Sequence, residues 1–173
     1  MKNLLWIACF LMTLPLAAQQ EKGDRQMSLS LSYKSNSGDN VKTTSSFNFQ
    51  YSVSKFYTRN LEIGISYAGS IATGFSYSGL SPFMSYNFLS KNGRFVFYMG
   101  AQYLLNSTTF DSGTSTSTTV SGGVGAKAGI RSYMSDNVFI FIGPNYSGFA
   151  HNQNQFDMTA GIGVLFKKTK KTQ

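Results

Sequence analysis

From Met27 onward, apolar side chains return at every second position, which is the period of a β-strand with two different faces and not the spacing of a helix. Met27, Leu29, Leu31 and Tyr33 alternate with Ser28, Ser30 and Ser32, and Phe47, Phe49, Tyr51 and Val53 alternate with Asn48, Gln50, Ser52 and Ser54. Leu61, Ile63, Ile65 and Tyr67 stand against Glu62, Gly64, Ser66 and Ala68, and Leu80, Pro82, Met84, Tyr86 and Phe88 against Ser81, Phe83, Ser85 and Asn87. The run 94–105 is apolar on both faces, with Gly100 and Gln102 opposite Phe95, Phe97, Met99, Ala101 and Tyr103. Val120, Gly122, Val124, Ala126, Ala128 and Ile130 oppose Ser121, Gly123, Gly125, Lys127, Gly129 and Arg131. Val138, Ile140, Ile142, Pro144 and Tyr146 oppose Phe139, Phe141, Gly143, Asn145 and Ser147, and Phe156, Met158, Ala160, Ile162, Val164 and Phe166 oppose Asp157, Thr159, Gly161 and Gly163. The pattern predicts eight strands over about 26–166.

The connections alternate in kind. Short turns are expected at 55–60, 90–94 and 135–137, with Asn92-Gly93 as a two-residue hairpin turn. Longer polar loops are expected at 34–43, 69–79, 106–118 and 148–154; the third, NSTTFDSGTSTST, is nearly low in complexity and is expected to be mobile. Short turns at one end and long loops at the other are the arrangement of a barrel in a membrane.

Alternation alone does not say which face meets what, because a soluble sandwich or lipocalin-like barrel reads the same way. Composition decides. Only 13% of the 173 residues are Asp, Glu, Lys or Arg, against about 25% in ordinary soluble domains, while 15% are aromatic and 17 are Gly. The polar face carries Ser, Thr, Gly, Asn and Gln where a solvated strand face would carry Lys and Glu. Small uncharged residues suit a crowded interior, and the aromatics Tyr33, Phe47, Tyr67, Tyr86, Phe95, Tyr103 and Tyr146 lie near strand ends, where interfacial girdles belong. The expected fold class is therefore all-β, an eight-stranded antiparallel up-and-down transmembrane β-barrel. It must close, because hydrocarbon offers no partner to an open sheet edge, and with eight strands its lumen is filled by side chains.

Four charges fall on the inner face: Glu62, Lys127, Arg131 and Asp157. Two negatives balance two positives. A buried charge must be paired, so a structural lumen network is expected in which Glu62 and Asp157 accept from Lys127 and Arg131.

The first 18 residues, MKNLLWIACFLMTLPLAA, combine Lys2, an apolar stretch from Leu4 to Leu14, Pro15 and small residues at Ala17 and Ala18, which is the order of a secretory signal peptide. Residues 19–173 then form the barrel domain, ending in the basic tail 167–173. Cleavage after Ala18 removes the one cysteine, Cys9, so the mature chain has no thiol, and the loss of Lys2 takes one from the formal charge of +8.

The segments Phe56-Tyr57-Thr58-Arg59-Asn60-Leu61 and Tyr133-Met134-Ser135-Asp136-Asn137-Val138, the strand with Ser81-Pro82-Phe83 and a last strand ending in Phe166 resemble the small outer-membrane β-barrel family, of the OmpA transmembrane domain and OmpX type. The resemblance covers 27–166. It implies that both termini lie in the periplasm, that the loops lie outside, and that Phe166 is the C-terminal signal read by the outer-membrane assembly machinery, although here Lys167 to Gln173 follow it. It implies no single activity.

Catalytic chemistry has little to work with. His151 is the only histidine; Ser147 and Asp157 are its nearest hydroxyl and acid, without a tight motif. One His and no mature Cys make a poor metal site, and Gly122-Gly123-Val124-Gly125 lies in an alternating strand with no helix to hold a phosphate. The expectation is a monomeric, non-enzymatic outer-membrane protein with no cofactor, whose structural or adhesin-like role runs through its extracellular loops. The alternatives are a narrow small-solute pore and a lipid-modifying acyl hydrolase. Expected partners are outer-membrane lipids, the assembly machinery and a surface ligand. Lys167, Lys168, Lys170 and Lys171 read as a solvated end near anionic headgroups, and not as a nucleic-acid site.

Overall fold

The computed structural model describes residues 20–38, 41–72, 75–90, 94–111, 115–149 and 153–168. The leader, the Asn92-Gly93 turn and His151 lie outside them. The strands are β1 (Arg25–Gly38), β2 (Val41–Phe56), β3 (Leu61–Ala72), β4 (Phe75–Leu89), β5 (Phe95–Asp111), β6 (Thr116–Tyr133), β7 (Val138–Phe149) and β8 (Gln153–Phe166). Each pairs antiparallel with the next, and β1 pairs with β8 from Arg25↔Phe166 to Tyr33↔Met158, so the sheet closes on itself in chain order.

Every predicted face assignment holds among the described residues. Met27, Leu29 and Leu31 are exposed while Ser28 and Ser30 are buried; Met84, Tyr86 and Phe88 are exposed while Phe83, Ser85 and Asn87 are buried. A soluble protein does not expose a continuous apolar surface around its whole girth. On β5 the outward residues are apolar from Phe95 to Leu105 and change to Ser107 and Thr109 beyond. Eleven residues at about 3.3 Å each, tilted about 45°, rise about 26 Å, which matches the apolar band of a membrane barrel of about 25 Å.

The long loops are a correction. Residues 34–38, 41–43, 69–72, 75–79, 106–111, 116–118, 148–149 and 153–154 belong to strands. The ribbon of β5 and β6 stays paired to Asp111↔Thr116, through Thr108↔Thr119 and Thr109↔Thr118, so what the sequence suggests is a mobile loop is mostly a hairpin. Beyond the membrane both faces of a strand meet water. The alternation that marks a strand is then gone, while the β-compatible Thr remains.

The opposite end carries tight turns held by side chains. Thr58 Oγ1 accepts from the Leu61 amide at 2.9 Å, and Ser135 Oγ from the Val138 amide at 3.1 Å. The first and last described residues, Gln20 and Lys168, lie at this short-turn end.

Candidate functional site

The lumen is built in layers. At the short-turn end Phe56, Val96, Tyr133, Phe139 and Leu165 form an apolar plug inside the barrel, with Leu89 and Phe141 against it. The Tyr133 and Phe139 rings lie 5.3 Å apart, and those of Phe139 and Phe141 6.1 Å apart. Glycines on β8 make the room: any side chain at Gly163 would overlap the Phe139 ring, and one at Gly161 the Phe141 ring. The plug was not foreseen. Its signal was a set of large apolar residues at positions whose neighbours of the same parity are polar.

A segment before β1 closes this end. Gln20 is fully buried and its amide donates to the Tyr133 hydroxyl at 2.6 Å. Asp24, also buried, accepts from the Glu21 amide at 2.8 Å through one oxygen and from the Lys168 amide at 3.0 Å through the other. One carboxylate thus ties the segment before β1 to the residues after β8 beside the β1–β8 seam. Phe166 faces outward on the last residue of β8, opposite Arg25.

Above the plug sit the charges. Arg131 Nη2 meets Glu62 Oε2 at 2.7 Å, with the two side chains 5% and 0% exposed. Further bonds flank the pair: Glu62 Oε1 accepts from Ser54 Oγ at 2.6 Å and Gln26 Nε2 at 3.3 Å, and Arg131 Nη1 donates to Asn87 Oδ1 at 2.9 Å. The guanidinium also lies over Tyr98, 4.6 Å from the ring centroid. A buried pair with this many charge-assisted bonds recovers its desolvation cost where a bare pair would not. Ser54 and Asn87 are on the inner face by alternation alone, but cross-strand register, which brings them to Glu62 and Arg131, is not written in any one segment.

Of the other two expected members, Lys127 enters the lumen four residues along β6 from Arg131, and its charge acts on Glu62. Lys127 places its ammonium 3.1 Å from the Phe83 ring centroid. Lys127 pairs with Asn145, and Asn145 with Asp157, so two strand spacings, about 10 Å, separate the Lys127 and Asp157 backbones. Asn145 donates to Thr159 Oγ1 at 2.6 Å in the same layer. Small hydroxyls fill the wall between: Ser28 and Ser52 meet at 2.6 Å, and Ser66 donates to the Ser81 carbonyl at 3.2 Å. At the ribbon end Tyr77 donates to Asn106 Oδ1 at 2.8 Å. Of the candidate hydrolytic set, Ser147 is buried on the inner face and Asp157 is half-buried beside it.

A closed eight-stranded sheet with a lipid-facing exterior and a filled interior can be compared with known folds. The N-terminal β-barrel domain of Pseudomonas aeruginosa OprF superposes with a TM-score of 0.71 at 15% identity, over 85% of this chain and 100% of that one. The chain has the fold of the small outer-membrane β-barrels. Neisserial surface protein A superposes at 0.66 with 20% identity over 85% and 98% of the two chains, and the attachment invasion locus protein Ail of Yersinia pestis at 0.63 with 14% identity over 84% and 99%. No family model matches the sequence, and no curated protein does. The likeness is one of architecture: the strand count, the closure and the apolar belt recur in sequences that share few residues with this one.

Proposed function

We propose that this barrel is a non-enzymatic outer-membrane protein, monomeric and non-conducting, whose structural or adhesin-like role is exercised by the strand ribbons on its extracellular side. The observation that carries the reading is the filled lumen: an apolar plug, the hydrogen-bonded Arg131–Glu62 pair and the Lys127–Phe83 contact lie in series across the bore. These layers fill the bore among the described residues, which favours the outward surface as the part that acts.

That surface has a usable form. Strand β6 pairs with β5 from Thr116, but its pairing with β7 starts only at Gly123↔Phe149. Among the described residues the edge 116–122 therefore has a strand on one side only, and its backbone can accept an extended segment of a partner. Asp111 is the single charge between Asn106 and Thr119, so this ribbon suits an uncharged partner strand better than a polyanion. Ail, which shares the fold, has been crystallised with the heparin analogue sucrose octasulfate. Residues 1–18 act as the export signal, Phe166 as the assembly signal, and the Arg131–Glu62 pair as the structural centre of the lumen, with Lys127 and Asp157 around it.

The test is to display the full chain on a bacterium lacking its own small barrels and to replace residues 108–119 by an Asn-Gly turn. Attachment to host-matrix surfaces falls to background while the barrel keeps its heat-modifiable gel shift. Unchanged attachment, or steady single-channel currents through the purified protein in planar bilayers, would overturn the reading in favour of another surface or of a small-solute pore.

A further inference from the structure

Two cavities lie one above the other on the outside of strands β3 to β5. The upper, of about 270 Å³, is walled by Phe49 and Tyr67 and floored by Gly69, Ser78, Ser107 and Thr109. Register sets Phe49, Gly69, Ser78 and Ser107 side by side across four strands, so a trough of small residues runs away from the phenyl ring. The ring itself lies across Gly69, which any side chain there would displace, and the Tyr67 ring stands 6.3 Å from it.

The lower hollow is a shallow, open depression of the belt, lined on its outer side by Pro82, Met84, Ala101 and Tyr103. Its cause is local. The β4–β5 ladder runs from Leu89↔Val96 to Phe83↔Gln102, skips Ser81 and Pro82, and resumes at Leu80↔Leu105. Proline offers no N–H to the ladder, and Ala101 supplies only a methyl group to fill the gap.

Their heights differ in an informative way. Outward residues of β4 change from Met84, Pro82 and Leu80 to Ser78 and Ser76, and those of β5 from Ala101, Tyr103 and Leu105 to Ser107 and Thr109. The lower cavity therefore sits in the hydrocarbon and the upper one at headgroup level. Six residues separate Ser78 from Met84, about 14 Å along the membrane normal for a tilted strand.

No Asp, Glu, Lys, Arg or His lines either cavity, so a phosphate or other anion would find no partner charge. Aromatic faces beside serine and threonine hydroxyls suit a sugar ring, whose C–H face stacks on an aromatic ring while its hydroxyls exchange hydrogen bonds. We propose that the β3–β5 face seats one glycolipid of the surrounding outer leaflet, its uncharged saccharide in the upper trough and an acyl chain in the lower groove. This rests on the barrel's membrane residence, which the test holds fixed by working with protein already folded in micelles.

The probe is dodecyl maltoside, added to the isotopically labelled barrel in dodecylphosphocholine micelles and followed by amide chemical shifts. The amides of Gly69, Ser78, Ser107, Ala101 and Tyr103 shift with one saturable midpoint, while Ile140 and Ile162 elsewhere on the belt do not saturate. Ser78→Leu, which fills the trough, and Ala101→Phe, which fills the groove, each weaken the midpoint about tenfold, the loss of one good contact. Shifts spread evenly around the belt, an unchanged midpoint in both variants, or the same saturation by free maltose would overturn the proposal; the last would assign the trough to a soluble glycan.

Discussion

Replacing Arg131 by Leu leaves the Glu62 carboxylate in a lumen where it has no exposed surface, with Ser54 and Gln26 as donors and Lys127 as a weaker counter-charge. Asn87 Oδ1 and the Tyr98 ring lose their cation at the same time. Breaking one side of a buried pair costs about 3–5 kcal/mol, because the survivor keeps its desolvation penalty. With a urea dependence of about 2 kcal/mol per molar, the unfolding midpoint should fall by about 2 M. The assay is urea titration of the barrel in lipid vesicles, read as the fraction that keeps its fast mobility on an unheated gel. Arg59→Leu in the exposed 57–60 turn is the control, expected to move stability by no more than about 0.5 kcal/mol. The double variant Glu62→Gln, Arg131→Met should recover most of the loss, since it removes both charges. If Arg131→Leu lowers the midpoint no more than Arg59→Leu, the pair is not what holds the lumen together.

Three further outcomes follow from the same layers. Lys127→Met should leave the urea midpoint unchanged or raise it, because an ammonium over the Phe83 ring becomes an apolar chain of similar length. Gly163→Val should cost about 1–3 kcal/mol by pushing into the Phe139 ring, and Phe139→Leu in the same chain should return part of it. Asp24→Ala should speed hydrogen exchange at the Lys168 and Glu21 amides and cost about 1.5–3 kcal/mol, while Asp24→Asn, with a single acceptor oxygen, keeps one of the two bonds.

The faces of the strands were legible in the sequence because period two needs only local information: once Leu29 is known to face lipid, Ser28 and Ser30 must face the lumen. The membrane was legible in how little charge the inner face carries, since Ser, Gly and Asn with so few Lys or Glu make no solvated surface. Strand ends at the short turns were likewise marked, by Thr58 and Ser135. The far ends were not. Beyond Leu105 both faces of the ribbon are Ser and Thr, and the pattern that reports a strand depends on an apolar side that is no longer needed there. The lumen's inventory was also readable in part: Glu62 and Arg131 were identified as inward charges, but their meeting depends on register across β3 to β6, and so does the gap at Pro82. The apolar plug escaped because Phe56, Phe139 and Leu165 share a parity with serines and glycines. A rule that calls one face polar throughout misses a layer that is apolar only at one height.

The central claim is the orientation of the sheet, apolar outward and filled within. Since the one cysteine, Cys9, lies in the segment proposed as the export signal and can be replaced by Ser, single cysteines can be placed along β5 from 97 to 102 and spin-labelled in lipid vesicles. Collision with dissolved oxygen, which concentrates in acyl chains, should be high at 97, 99 and 101 and low at 98, 100 and 102, with little access for an aqueous nickel chelate at any of the six. A reversed alternation, or nickel access at 98, 100 and 102 equal to that of an exposed turn position such as 59, would contradict it.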